Sequence, residues 1–357
     1  MPKRIIVIGS GIIGSSIAWH LAKAGARVTV IEQGEAGGLA TRNSWAWINA
    51  SWGNPEPYFR LRLRSIAEWH RVSATVRGLS LNWCGGLIWD LPQDQLDAYA
   101  KEREAWGHPI KPVDKAEIAR IEPNLTDVPA RAYHVTGEGM LEPVTANLAL
   151  LDAARELGVE VLANTPIKWL VEEHGRATGV MTDEGAIHAD EVVVAAGATS
   201  AELLDTIGIK LKMDSPAGLL SHSKPRPKLL NGLVMTPGLH LRQTAEGRIA
   251  AGTDFAGADP DGDAETLAAD LQSKVRAMVK GAENLDLDFH TIGYRPTPAD
   301  GFSVIGRPQG RPGLYTVVTH SGVTLAPALG LFAAAELLGD KRDPLIEPFH
   351  PDRPALT

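Results

Sequence analysis

Residues 4–32 constrain the fold more than any other stretch of this chain. Arg4-Ile5-Ile6-Val7-Ile8 is a short apolar run rich in β-branched residues, the pattern of a strand covered on both faces. Gly9, Gly11 and Gly14 follow it as G-x-G-x-x-G. The first glycine permits a tight turn, the second lets the backbone approach a pyrophosphate, and the third lets a helix pack closely on the strand. Ser15 to Ala24 carries Ile17, Ala18, Leu21 and Ala22 at helical spacing, and Gly25 ends the run. Val28 to Ile31 reads as a second strand and Glu32 closes the unit. That carboxylate stands about 20 residues after the glycines, where it can accept from ribose hydroxyls and disfavours a 2′-phosphate. The stretch therefore predicts a dinucleotide site, with NAD and FAD both open and NADP the least suited.

Lys3 and Arg4 before an apolar stretch, with Ala24-Gly25-Ala26 after it, imitate a secretory signal. The glycines would break its apolar segment and the pattern runs on into a strand, so export is not expected. No later run reads as a membrane span. The single cysteine, Cys84, forbids an internal disulfide, which fits a reducing, cytoplasmic setting. Two readings of it stand, a covalent flavin attachment and a buried inert thiol, and the second is preferred. Net charge is −8 with no basic block, which argues against nucleic acid as a partner. No Cys/His cluster has metal-ligand spacing. At 357 residues the chain exceeds one ordinary core, so two domains are expected.

The rest of the chain shows how they interleave. Residues 33–57 are glycine-rich and polar, too long for a plain connector, and hold Trp45, Trp47 and Trp52. A helix is predicted over 57–76, with Phe59, Leu63, Ile66, Ala67 and Trp69 as its apolar side. A strand pair follows over 81–91, then helices over 92–106 and 115–121, strand and turn over 131–140, and a helix over 143–157 opened by proline. A strand at 159–162, a small antiparallel meander, and the buried strand of "EVVVAAGATS" come next. Strands dominate 209–290, interrupted by a helix over 264–280. The C-terminal part reads as strand, glycine-containing loop and helix. The nucleotide-binding strands are thus expected near 4–8, 28–32, 159–162, 192–196 and 314–319. The fold class is α/β: a discontinuous Rossmann-like unit (1–80, 143–206, 293–357) and a mainly antiparallel β unit for substrate (81–142, 207–292). A simple NAD dehydrogenase usually completes its dinucleotide fold in one stretch, so the late return of the chain favours FAD.

The order of G-x-G-x-x-G with Glu32, the Thr41/Ser44 loop, "VVVAAGATS", "GYRPTPADGFSVIG" and "THSGVTLAPALG" resembles the FAD-dependent D-amino acid oxidase family, which includes glycine oxidase, sarcosine oxidase and D-amino acid dehydrogenases. The resemblance covers essentially the whole chain. It implies that Gly9, Gly11, Ile12, Ile13 and Gly14 hold the FAD pyrophosphate, and that Glu32, with Gln33 beside it, binds the adenosine ribose. Thr41, Arg42, Asn43 and Ser44 are expected to wrap the pyrophosphate-to-flavin half. The backbone of Ile167 would meet the adenine, and Ala196 and Gly197 would line the nucleotide. Ser321, Gly322, Val323 and Thr324 would meet the flavin pyrimidine edge, where backbone donors at a helix start suit developing negative charge. The bland alternative for that last segment is a plain helix cap.

In the family, the arginine of the G-x-R-P motif, here Arg295, pairs with a substrate carboxylate, which a guanidinium fork fits in bidentate fashion. A structural arginine is the alternative. Tyr294 either lines the same pocket or packs. His240 and Arg242 alternate with Leu239 and Leu241 and so share a strand face, either toward substrate or, preferred, toward solvent. Trp45, Trp47 and Asn49 follow the flavin loop, where the tryptophans either roof the pocket or fill core. The sarcosine-oxidase branch has a C-terminal cysteine for covalent flavin and lysines near the flavin. This chain has neither in "RIAAGTDF" or "HSGVTLAP". FAD is therefore expected to be non-covalent, and the acceptor is either O2 or a quinone or carrier.

The expected activity is oxidation of an amino acid or N-alkyl amino acid. Hydride leaves the carbon next to nitrogen for flavin N5, and water hydrolyses the imine. The alternatives are a flavoprotein subunit that depends on partner chains and a plain NAD-dependent dehydrogenase. Oligomeric state is not legible.

Overall fold

The structure is a computed structural model; it describes the chain apart from Trp52, Pro109, 255–257, 261–262 and 357. Trp52 and the last residue of "RIAAGTDF" thus lie outside the described residues.

A mixed six-stranded sheet organises the first layer. Its order is Val304–Gly306, Leu314–Val318, Glu191–Val194, Arg4–Ile8, Arg27–Ile31 and Glu160–Leu162. Every pairing is parallel except the outermost, where Val304–Gly306 runs antiparallel to Leu314–Val318. The five strands expected for the nucleotide-binding sheet are the five parallel ones. Ile5 to Ile8 are buried, as a two-faced apolar run requires. Three helices pack together on one side of the sheet's core: Ile12–Lys23, Pro143–Glu156 and Gly322–Gly339. Close packing at the first helix is sterically enforced. A Cβ on Gly14 would stand 1.9 Å from the Gly9 carbonyl oxygen, so only glycine lets this helix lie against its turn.

A second sheet has eight strands, in the order Leu287–Tyr294, Ala217–Ser223, Ile249–Gly252, Leu239–Gln243, Leu233–Thr236, Gly86–Ile88, Arg131–Val135 and Lys111–Asp114. It is antiparallel except where Leu233–Thr236 runs parallel to Gly86–Ile88. The Ala264–Met278 helix covers it through Ala268, Leu271 and Val275. The meander forms the predicted three strands, Ile167–Glu173, Arg176–Thr182 and Gly185–His188.

Three expectations need correction. Residues 81–91 do not form a strand pair with each other: Leu81–Asn82 joins a small sheet with Gly139–Leu141, while Gly86–Ile88 enters the eight-stranded sheet. The helix of 57–76 spans Glu56–Ser73, and its buried stripe includes Tyr58, Arg62, Ser65, Trp69 and Val72, at the i, i+3, i+4 spacing of an inward face. Ala67, read as part of that face, is exposed. Finally, the Gly322–Gly339 helix is long and apolar enough to cross a membrane by length and composition, contrary to the sequence reading. It is 72% buried, between the Ile12–Lys23 and Glu56–Ser73 helices, which is where its apolar surface goes.

Candidate active site

A cavity of about 830 Å³ opens at the carboxyl ends of the parallel strands, where Ile8, Ile31, Ala195, Val317 and Thr319 line it. Ligands of open α/β sheets sit at this edge, outside the strand on which the connections change direction. From there the cavity reaches Gly218, Leu220, Gly293 and Tyr294 of the second sheet, so it lies between the two layers.

The first turn is built for close approach. Gly9 has φ 99°, and a Cβ there would meet the Ala195 carbonyl oxygen at 2.5 Å. A Cβ on Gly38 would sit 2.6 Å from Gly11 Cα. The loop after the second strand thus lies directly on the glycine turn. Thr41 pins it by accepting the Ile12 backbone N–H at 3.1 Å. Glu32 accepts the Ser10 backbone N–H and hydroxyl, both at 2.9 Å, and the Gly34 N–H at 3.3 Å, which fixes its carboxylate at the cavity wall.

Two helix starts meet at this cavity. The Ile12–Lys23 helix begins after Gly11 and the Gly322–Gly339 helix after Ser321; neither residue caps its helix with its own side chain, and neither first turn holds an acidic residue. Gly322 approaches Ile12 and Ile13, since a Cβ on it would lie 3.7 Å from a side-chain carbon of each. Apart from the Ile12 N–H that Thr41 accepts, such helix starts direct backbone donors and positive dipole ends at the same space. Gly9, Gly11, Ile12, Ile13, Gln33, Thr41, Asn43, Ser44, Ile167, Ala196, Gly197, Ser321, Gly322, Val323 and Thr324 all line the cavity, with Glu32. Gly14 lies behind the turn, as its packing against Gly9 requires. Arg42 is a correction: it is outside the lining, and its Nε donates to the Gly38 carbonyl at 3.2 Å.

At the opposite end stand Trp45, Trp47, Asn49, Arg62, Tyr294, Arg295 and His320. Trp45 and Trp47 are buried and meet edge to face with centroids 6.1 Å apart, so they are both core and cavity wall. Tyr294 is 55% exposed and lies at the rim. Arg295 Nη2 lies 3.2 Å from His320 Nδ1. Burial pulls the Arg295 guanidinium below its ordinary range, Asp254 opposes this, and Arg62 adds to it. Arg62 was not legible as a site residue. It is buried on the inward stripe of its helix, and it donates to the Asn49 carbonyl at 2.9 Å, to Ser321 Oγ at 2.8 Å and to Asn49 Oδ1. Burial lowers its pKa most, against the attraction of Tyr58 and Glu138. His320, also missed, sits inside the motif that drew attention to its neighbours. Burial, then Arg295 and Arg62, push its pKa down to about 3, so the ring is neutral.

His240 and Arg242 are further corrections. Their strand is buried at all five positions, so alternation marks no solvent face there. His240 Nε2 pairs with Asp90 at 3.1 Å and packs behind Trp45, with ring centroids 5.8 Å apart. Arg242 Nη1 donates to the Leu141 carbonyl at 3.2 Å and to Glu142 at 3.3 Å. Neither lines the cavity. Cys84 is also outside the lining, packed beside the cluster of Trp45, Ile88 and Met235, where burial raises its thiol pKa.

A doubly built cradle of this kind defines a dinucleotide-binding protein with a second chamber walled by the eight-stranded sheet. The sequence model of the family described as FAD dependent oxidoreductase matches residues 4–336, and the chain belongs to that family. FAD is its cofactor, which sets aside the plain NAD-dependent reading. The chain is 29% identical to the glycine oxidase of Pseudomonas putida, over 98% of this chain and 97% of that protein. It is 28% identical to the glycine oxidase of Bacillus licheniformis, over 99% and 98%. Among solved structures, the L-proline dehydrogenase of P. horikoshii superposes with a TM-score of 0.88 at 26% identity, covering 98% of both chains.

Proposed function

We propose that this enzyme oxidises the C–N bond of a small amino acid or N-alkyl amino acid, with Arg295 holding the substrate carboxylate. The observation that carries this is the charge at the second chamber. Arg62 and Arg295 face it, and among the described residues lining that end there is no carboxylate; Asp254, outside the lining, attracts Arg295 without outweighing its burial. A buried positive chamber favours an anionic group and disfavours a protonated amine, and the amine must be neutral to be oxidised. The FAD, when bound, supplies the acceptor that takes the hydride from the carbon next to nitrogen. The chain's own residues position: Arg295 orients the carboxylate, Trp47 and Tyr294 limit the side chain, and water then hydrolyses the imine to the oxo acid and the amine.

On this reading Gly9, Gly11, Ile12 and Ile13 hold the pyrophosphate, Glu32 and Gln33 the ribose, and the backbone of Ile167 the adenine. Thr41, Asn43, Ser44, Ala196 and Gly197 line the path between, and Ser321 to Thr324 receive the flavin end. Residues 1–80, 143–206 and 293–357 make the cofactor-binding unit; 81–142 and 207–292 make the substrate unit. The lone cysteine supports a cytoplasmic setting. Full-length similarity to glycine oxidases supports a self-standing enzyme over a partner-dependent subunit.

The test is a screen of glycine, N-methylglycine and both enantiomers of larger amino acids, in air and anaerobically with an artificial dye. Turnover of a carboxylate-bearing amine is expected. Dye reduction without matching oxygen uptake would mark a dehydrogenase, and no turnover of any amino acid by the yellow protein refutes the substrate class.

A further inference from the structure

We infer that His320 is a positioning residue for Arg295, a fixed hydrogen-bond acceptor that aims the guanidinium into the chamber. The inference rests on the carboxylate role proposed for Arg295.

The ring's proton is assigned by its neighbours. His320 Nε2 lies 2.9 Å from the Gly301 carbonyl oxygen, which can only accept, so Nε2 carries the hydrogen. Nδ1 is then a lone pair. Arg295 Nη2 stands 3.2 Å from it, and Ser321 Oγ also stands 3.2 Å from it. The same Ser321 Oγ accepts from Arg62 Nη1 at 2.8 Å, which leaves the hydroxyl proton free to turn toward Nδ1. Arg62, Ser321, His320 and Arg295 thus form one continuous chain of donors and acceptors across the chamber wall.

The groups facing the ring are consistent with a neutral acceptor. Arg295 and Arg62 are cations, and the Tyr58 hydroxyl lies 3.5 Å from Nε2. An imidazolium would present an N–H to a guanidinium N–H and repel it. Arginine has a long stem with several rotatable bonds, and a bound carboxylate gains most from a fork already held in place. Arg295 is anchored at its backbone, where its N–H donates to the Pro216 carbonyl at 3.1 Å. His320 supplies a hold at the far end of the side chain.

The experiment uses the FAD-loaded enzyme with His320→Asn, His320→Gln, His320→Ala and Arg295→Met. Asparagine places an oxygen near the Nδ1 position, whereas glutamine reaches the Nε2 position. Acetate, a carboxylate with no amine, is titrated by the change in flavin absorbance. KM and kcat are measured in parallel for a carboxylate substrate. His320→Gln and His320→Ala are expected to weaken acetate about tenfold, the size of one hydrogen bond to a charged group. They should raise KM by a similar factor, with a smaller change in kcat. His320→Asn should restore acetate affinity to within about threefold of the parent. Equal losses for Asn, Gln and Ala, or a loss in kcat alone, would overturn the inference. Arg295→Met separates the two claims. If it leaves acetate affinity unchanged, the carboxylate role of Arg295 fails. If it abolishes acetate binding while His320→Ala binds like the parent, only the role of His320 fails.

Discussion

Ser10 and Glu32 close the glycine turn onto the end of the second strand: the Ser10 backbone N–H and hydroxyl converge on the same carboxylate oxygen of Glu32, each at 2.9 Å. The acid that the spacing singles out for ribose is therefore also a strut of the turn itself. A carboxylate has room for both tasks, since its two oxygens offer about four acceptor positions.

Glu32→Ala should weaken FAD binding by about 1.5–3 kcal/mol, the range for a hydrogen bond to a charged group. Glu32→Gln keeps an acceptor for Ser10 and removes the charge, so it should fall between parent and Ala. Titration of the apoproteins with FAD reads both. Equal affinity in all three would remove Glu32 from the cofactor site.

Arg295→Met should damage catalysis far more than FAD binding. The packing volume is largely kept and the guanidinium is lost. Removing one side of such a buried charge pair costs about 2–5 kcal/mol, so kcat/KM for a carboxylate substrate should fall by roughly two to three decades. The decarboxylated amine should lose much less. Matching losses for the two compounds would show that Arg295 is structural.

FAD should be released from the polypeptide by denaturation. Cys84, the single cysteine, lies outside the cavity lining, and Cys84→Ala should leave flavin content and turnover nearly unchanged. Absorbance of the supernatant after acid precipitation checks the first statement. Flavin retained on the washed pellet would contradict it.

Stability should fall as pH drops from 7.5 to 5. The folded-state pKa of His20 is about 4 and that of His320 about 3, both below the usual 6.5. The unfolded chain then binds more protons than the folded one below pH 6.5, so the stability these groups contribute is complete above that pH. It is lost progressively toward their folded values. Each accounts for about 1–2 kcal/mol by pH 5. Urea unfolding with saturating FAD at both pH values measures it. His320→Asn should shrink the difference, and an unchanged difference would remove His320 from the account.

Much of the first layer was legible because its information is local. Gly9, Gly11, Gly14 and Glu32 lie within one strand–turn–helix–strand unit, and spacing alone places them. The late strand and helix could be added because "EVVVAAGATS" and "GLYTVVTHSG" are apolar runs that pass into glycine turns, the second followed by an apolar helical stretch. Arg62 and His320 were not legible, because their roles exist only between distant segments. Arg62 meets Ser321 across 259 positions of sequence. One signal for Arg62 was present: a charge on the stripe of Tyr58, Ser65 and Trp69 is costly unless something specific receives it. His240 and Arg242 misled for the opposite reason. Alternation reports a half-buried strand, and theirs is covered on both faces, with Asp90 and Glu142 as partners.

The late return of the chain also has a consequence during synthesis. The Leu314–Val318 strand and the Gly322–Gly339 helix supply Val317 and the wall from Thr319 to Thr324. A ribosome must therefore release the chain through Thr324 before this cavity can close. The glycine turn and Glu32 emerge long before it, yet they wait for the Leu314–Val318 strand to slot beside Glu191–Val194. A cavity completed this late in the chain cannot enclose a cofactor earlier, and a nascent chain stalled before residue 314 would expose the Ile12–Lys23 helix where the Gly322–Gly339 helix belongs.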